Sequence, residues 1–514
     1  MIIELLELGL MPFICLFVAI MVPLLNRFAL GRRINPYLAT FCSALLPLLA
    51  LRVHLVVHEH GAVTYRFGGF PPPIGVVYIV DEVSSTLALL ASFVLFACIL
   101  YSTWIIDRDR LYLFHSLAFL LAMGVYGCLY TGDLFNFYVS VELVAVASYA
   151  LTTFNSEKGR AVKAAFIYGV FGTVMTSTYF LAVLIIYGSY GTLNMADVRV
   201  KVCSPHTITS FSSGIYGDIT LTTKISMALI TWVLFFKSGI MPNHFWLPEV
   251  YRYAPLPAVV LFSAAADMLG VYGLIRLYYT IFTEESIVGG FRASMISIML
   301  ILGAISTVFA STVVMRQRNL RSLVAYSSIV QYSLALLGMT TGVPEGIAGA
   351  ILHLATNALG DMLVLFSAGL LLSASHIVTN KVMRLLMYAS FITGLLNLFG
   401  VIPILPGFWS KAFLTLGFMK ANIPVGVVVV LASSGLCALG YFTLIMLLLS
   451  KRPEGIALAR GQRSRSYVPV VVVVITQIAT IGLGLALTLG GFRDLVLSYG
   501  RSVFDRSKFL EVLP

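Results

Sequence analysis

An all-α polytopic membrane protein of about 14 transmembrane helices is predicted by three observations on this 514-residue chain. Hydrophobic residues make up 59% of it and charged residues 11%, with a mean hydropathy of +0.96, far beyond a soluble domain. Apolar runs of about 20 residues, enough to cross a bilayer core as helix, recur from Ile2 to Gly490. Finally, lysine and arginine concentrate in every second loop, as a regular back-and-forth path requires.

In order, the spans are read at 2–25, 36–58, 83–105, 111–130, 133–153, 164–190, 222–241, 256–282, 293–315, 320–341, 346–375, 385–415, 424–450 and 467–490, separated by charged or Pro/Gly-rich breaks. The first has Glu4 and Glu7 where a cleavable leader would be basic, and it is expected to be retained. Loops after odd-numbered spans hold 19 of the 33 Lys and Arg residues, from Arg27 to Arg465; loops after even-numbered spans hold six. The odd loops are therefore expected to be cytoplasmic and both termini external. This placement assigns the net charge of +11 to topology, with no nucleic-acid partner. The longest external loops, about 59–82 with Pro71-Pro72-Pro73 and about 191–221, read as short ordered caps, and the basic 451–466 loop as a lipid-headgroup contact. The six cysteines are scattered, without Cys-x-x-Cys, so no metal, iron–sulfur or disulfide framework is expected.

A single membrane domain, 1–514, is expected. Its seventh span is broken by Gly239 and Pro242 and its twelfth by Gly400, Pro403, Pro406 and Gly407, each with a lysine beside the break. Paired broken spans are the usual sequence trace of internal repeats with an ion site between them. The offset of five spans predicts two inverted five-helix repeats, approximately 111–282 and 293–450.

Lys237 stands at the first break, and an ammonium in mid-bilayer costs roughly 2.5–3.5 kcal/mol on insertion scales. Within the spans it is joined by Glu142, Asp267, His353, Asp361 and Lys411. Six titratable groups on five helices suit proton transfer better than simple helix pinning. A Glu142–Lys237 contact at roughly 4 Å and an effective dielectric near 20 would be worth about 4 kcal/mol. Arg52 and Arg276, near span ends, are expected to snorkel.

Pro242-Asn243-His244-Phe245-Trp246-Leu247-Pro248, with Ala254-Pro255-Leu256-Pro257 and Leu269-Gly270-Val271-Tyr272-Gly273, resembles the signature of the antiporter-like proton-translocating membrane subunits. That family comprises the membrane-arm subunits of respiratory complex I, the Mrp Na⁺/H⁺ antiporters, and the membrane-bound hydrogenases with their sulfur-reducing relatives. Gly132 to Tyr138 with Glu142 resembles its helix-five motif, most closely in the Mrp D-subunit form. Ala325-Tyr326-Ser327-Ser328 resembles the helix-ten motif and Gly407-Phe408-Trp409-Ser410-Lys411 the broken helix twelve.

The resemblance implies that Glu142 and Lys237 form the coupling pair of a first half-channel, His353 the central relay and Lys411 the terminal group of the second. It departs from the family pattern at Met268, where a lysine is common, and at Asp361, at the lysine place of His-Ala-Leu-x-Lys; Asp267 stands beside the first. These carboxylates leave three readings of the middle: a wire through carboxylates and water, no conduction, or a preference for Na⁺, which favours hard oxygen ligands. The expected function is an H⁺-translocating subunit, with Na⁺ as the second candidate ion, in a hetero-oligomeric complex that is either redox-driven or an Mrp antiporter. The rival is a largely structural subunit that descends from a transporter. No redox cofactor is expected on this chain, so the driving chemistry belongs to partner subunits.

Overall fold

The computed structural model describes every residue except 1–2, 73, 156, 158, 205–217, 373–379, 450–466, 506–509 and 511–514. Among the described residues, fourteen helices are long and apolar enough to cross a membrane, as the sequence predicts. The 451–466 loop lies outside the described residues.

The first spans are α1 (Glu7–Leu25), α2 (Ala29–His60), α3 (Glu82–Ile105), α4 (Arg108–Tyr130), α5 (Leu134–Thr152) and α6 (Gly159–Tyr190). A short α7 (Met195–Cys203) follows in the 191–221 loop, where the Asn194 side chain accepts from the Ala196 and Asp197 amides. The 59–82 loop adds a small sheet to the helical fold. Strand β1 (Ile3–Glu4) runs parallel to β2 (Val63–Arg66), which pairs antiparallel with β3 (Val77–Val80), Val63 opposite Val80. A three-stranded sheet with open edges has no place in hydrocarbon, but a loop between spans can carry one.

The seventh and twelfth spans are interrupted, and their bounds correct the sequence reading. The seventh, read as 222–241, is α8 (Ile219–Lys237), followed by non-helical residues and the short α9 (Leu247–Tyr253). The twelfth, read as 385–415, is two helices, α15 (Lys381–Phe399) and α16 (Pro406–Lys420). Gly400 between them has φ of +73°. A Cβ there would also lie 2.7 Å from the Gly407 carbonyl oxygen, so glycine is required twice over.

The eighth span, Leu256–Ile281, alternates α10 (Leu256–Leu261), a π-helical turn at Phe262–Ala266, α11 (Met268–Ile275) and a second π-helical turn at Arg276–Ile281. The later spans are α12 (Gly289–Arg316), α13 (Leu320–Thr340), α14 (Pro344–Leu372), α17 (Pro424–Leu449) and α18 (Val468–Thr488), with a short α19 (Gly491–Ser502) against α14.

The eighth span, α13 and α14 are almost entirely buried and make the centre of the bundle. Around them, α1, α2, α6, α12 and α17 each turn one apolar side outward, through Phe13, Phe41, Phe166, Ile301 and Phe442. That outer ring is what lipid contact requires. The polar residues of interest, Glu142 on α5 apart, are left to the three-helix centre and the two breaks.

Arg276 does not snorkel. It is buried, with its guanidinium donating to both carboxylate oxygens of Asp81 at 2.6 and 2.7 Å and its Nε to the Tyr272 hydroxyl at 2.9 Å. Asp81 is the N-cap of α3 and accepts from the Ser84 amide, which fixes the carboxylate for the arginine. Arg52 is exposed and pairs with Glu7 at 2.8 Å, as a residue at a span end should.

Candidate functional site: a line of buried ionisable groups

Lys237 is the last residue of α8 and is buried. The carbonyls at this helix end find other donors. Leu234 and Phe235 accept from the amides of Ser238 and Ile240, and Phe236 from the Gly239 amide and the Trp246 indole. With its neighbouring carbonyls satisfied, the Lys237 ammonium is left without a hydrogen-bond partner among the described residues. Glu142 projects from the middle of α5 with its Oε2 atom buried and equally unpartnered. The close Glu142–Lys237 pair expected from the sequence is therefore not formed. Of the carboxylates that act on Lys237, Asp267 acts most strongly and Glu142 less.

The approach of Asp267 follows from local packing. Gly270 and Gly273 let α11 lie directly on α8: a Cβ on Gly270 would fall 2.4 Å from the Leu234 carbonyl oxygen. The Ser238 hydroxyl crosses the interface to the Asp267 carbonyl at 2.9 Å. Asp267 caps the first π-helical turn, the kind of helix irregularity that recurs at functional sites. Its Oδ2 accepts from the Tyr251 hydroxyl at 2.8 Å. Tyr251 and Tyr332 sit within the field of both Asp267 and Asp361, so the two carboxylates share one polar neighbourhood.

From there α14 carries the line. His353, Asn357 and Asp361 recur at intervals of four and form one stripe along the helix. The Ser328 hydroxyl approaches Asp361 Oδ2 at 3.0 Å. At the other end, His353 Nδ1 lies 2.9 Å from the Ser410 hydroxyl, which itself donates to the Gly407 carbonyl at 3.0 Å. His353 Nε2 is buried without a hydrogen-bond partner among the described residues.

Lys411 differs sharply from Lys237. Its ammonium donates to the Leu398 and Phe399 carbonyls at 2.9 and 2.7 Å and to the Ser434 hydroxyl at 2.9 Å. All three protons are used, two of them on the C-terminus of α15, where a cation is favoured. Asn397 completes this break, donating to the Thr356 carbonyl at 2.8 Å and accepting from the Gly407 amide at 2.9 Å.

The six residues singled out in the sequence thus fall into two groups, Glu142, Lys237, Asp267 and Asp361 on one side and His353 and Lys411 on the other, joined by the α14 stripe. Sequence reasoning missed the uncharged members Tyr251, Tyr332, Ser263, Asn397 and Ser434, and met Ser328 only within the helix-ten motif. Polar uncharged residues in an apolar span are too common to single out without knowing which helices meet.

Residues 131–437 match the family model described as NADH:quinone oxidoreductase/Mrp antiporter, transmembrane. This chain belongs to that family. Within the family it is 31% identical over 392 residues to NADH-quinone oxidoreductase subunit N of Desulforudis audaxviator, covering 74% of each chain. It is 26% identical over 411 residues to the D subunit of the Na⁺/H⁺ antiporter of Alkalihalophilus pseudofirmus, covering 78% of this chain and 79% of that one. Among solved structures, a chain of the membrane-bound sulfane sulfur reductase, an archaeal respiratory membrane complex, superposes with a TM-score of 0.83 at 26% identity, covering 99% of each. A chain of the Mrp complex from Dietzia sp. gives 0.82 at 18% identity, with 99% of this chain and 100% of that one covered, a likeness of fold.

Proposed function

We propose that this chain is the ion-translocating subunit of a multisubunit membrane complex, and that H⁺ passes through it along Glu142, Lys237, Asp267, Asp361, His353 and Lys411. One observation carries the reading: buried ionisable side chains run from Lys237 at one broken span, through Asp267 of the eighth span and Asp361 and His353 of α14, to Lys411 at the other. A bundle that only needed to hold together would gain nothing from an unpartnered ammonium beside unpartnered carboxylate oxygens, because each unpaired buried charge costs several kcal/mol.

The relatives support the setting. The subunits named above belong to an NADH-quinone oxidoreductase, a Na⁺/H⁺ antiporter and a sulfane sulfur reductase. Here, too, partner membrane subunits supply the driving process, either a redox reaction or antiport. The proposed location is the cell membrane, with both termini external. The two breaks are proposed to be equivalent positions in inverted repeats at approximately 111–282 and 293–450.

The test is H⁺ movement, followed with a pH-sensitive dye, in vesicles containing the complex. Glu142→Gln is expected to slow it by roughly two orders of magnitude, the usual worth of a positioned proton-transfer group. Undiminished movement in that variant would favour the structural-subunit reading.

A further inference from the structure

Glu142 and Lys237 form no close pair, so a proton leaving Glu142 needs another partner, and the packing of α5 on α6 offers one. Tyr149 follows Glu142 by seven residues on α5, within about 20° of the same helix face. Side chains of a helix lean toward its N-terminus, so the Tyr149 ring reaches back toward the turn that carries Glu142. Its hydroxyl is buried without a hydrogen-bond partner among the described residues, as is Glu142 Oε2.

Room for that hydroxyl is made by α6. A Cβ on Gly172 would lie 1.8 Å from the Tyr149 hydroxyl oxygen, and one on Gly169 would lie 3.8 Å from the ring. The oxygen therefore occupies the place where any other residue at 172 would put its side chain. Phenylalanine would pack against the same helix without burying an unpaired hydroxyl, which is costly.

The Tyr149 ring meets the buried Tyr168 ring edge-on, with centroids 4.7 Å apart. Tyr168 in turn stacks flat on Trp246 at 4.0 Å, and Trp246 Nε1 donates to the Phe236 carbonyl, next to Lys237. This column holds Tyr168 against the end of α8, with its hydroxyl in the field of both Tyr149 and Asp267. The titratable groups that face Tyr149 are Glu142 from its own helix and Tyr168 from α6. Each member of the series Glu142, Tyr149, Tyr168, Asp267 thus acts on the next.

We propose that Tyr149 and Tyr168 carry protons between Glu142 and Asp267. The inference rests on the ion-path reading and adds two uncharged groups to it. Each phenolic oxygen accepts a proton on a lone pair as its own O–H proton passes to the next acceptor, directly or through intervening water. The net change is one proton lost at Glu142 and one gained at Asp267, with both tyrosines neutral before and after. Lys237, beside this line, acts on both carboxylates through its charge.

The experiment follows H⁺ movement in vesicles containing the complex, together with the melting temperature of each variant. Tyr149→Phe is expected to slow H⁺ movement by roughly two orders of magnitude and to leave the melting temperature unchanged, because the lost oxygen has no hydrogen bond to give up. Tyr168→Phe is expected to slow it similarly. A fluorinated tyrosine at position 149 keeps the packing but makes the hydroxyl more acidic, and the pH profile of H⁺ movement is expected to shift to lower pH. Parental H⁺ movement in Tyr149→Phe and Tyr168→Phe, alongside a slowed Glu142→Gln, would overturn the proposal and leave the ion path standing. Parental movement in all three would remove the ion-path reading as well. A slowed Tyr149→Phe with an unshifted profile for the fluorinated chain would assign Tyr149 to packing and overturn the proposal too.

Discussion

Replacing Lys237 with methionine is expected to cut ion movement by roughly two orders of magnitude or more while leaving the melting temperature of the complex unchanged or raised. The two halves of this expectation have separate causes. Among the described residues the Lys237 ammonium has no hydrogen-bond partner and no carboxylate within 4.0 Å, so its removal orphans nothing and relieves a buried charge. Methionine keeps the volume of the side chain, so little packing is lost. What disappears is the cation set between Glu142 and Asp267. Beyond contact distance, attraction to either carboxylate is below the about 4 kcal/mol of a pair at roughly 4 Å, so Lys237 is bound firmly to neither. The same exchange at Lys411 behaves differently. There it leaves the Leu398 and Phe399 carbonyls without their donor, and a melting temperature lowered by the equivalent of roughly 2 kcal/mol or more is expected. Vesicle assays and thermal melts of the two variants, side by side, check both statements.

Asp81→Ala is expected to destabilise the protein by about 3–5 kcal/mol, the usual cost of stripping one partner from a buried ion pair. It would leave the Arg276 guanidinium in the bundle without its two carboxylate bonds and remove the N-cap of α3 at the same time. The double variant Asp81→Asn, Arg276→Met is expected to recover part of the loss, because it leaves no lone charge. Burial works to raise the Asp81 carboxyl, but the Arg276 guanidinium and the Ser84 donors outweigh it and hold it below the ordinary carboxylate range. A carboxylate held low stabilises the fold fully above its unfolded value, and that share is lost only as the pH falls through the lower folded value. The Asp81 contribution should therefore be constant through neutral pH and disappear only in strong acid. Chemical denaturation of parent and variants at neutral and acid pH reads out both effects.

Much of this molecule is legible in its sequence because bilayer crossing is a strict demand on length and composition. The spans can be counted, and the glycine and proline clusters mark both interruptions, because backbone in hydrocarbon must be helical unless protein or water satisfies it. The ends are less legible: α8 stops at Lys237, where Ser238 and Gly239 turn the chain, although apolar residues continue to Met241. The sheet of β1 to β3 leaves little trace since its strands are two to four residues long. Charged members of the line stand out against an apolar background, but their partners do not. That Asp267 acts on Lys237 more strongly than Glu142 does depends on the close approach of α11 to α8. Arg276 reads as a snorkelling residue because Asp81 lies 195 positions away in the chain.

The central claim is that ions pass through the middle of this chain, with Asp267 as a member of the path. Ion movement in vesicles containing the complex, measured for Asp267→Asn with the assembly of partner subunits verified, tests it most directly. The substitution is nearly isosteric and keeps an oxygen for Tyr251 to donate to, so the fold should survive. Ion movement reduced to the level of Lys237→Met is the predicted result. Parental movement through Asp267→Asn, alongside an inactive Lys237→Met, would contradict the claim and place the path elsewhere.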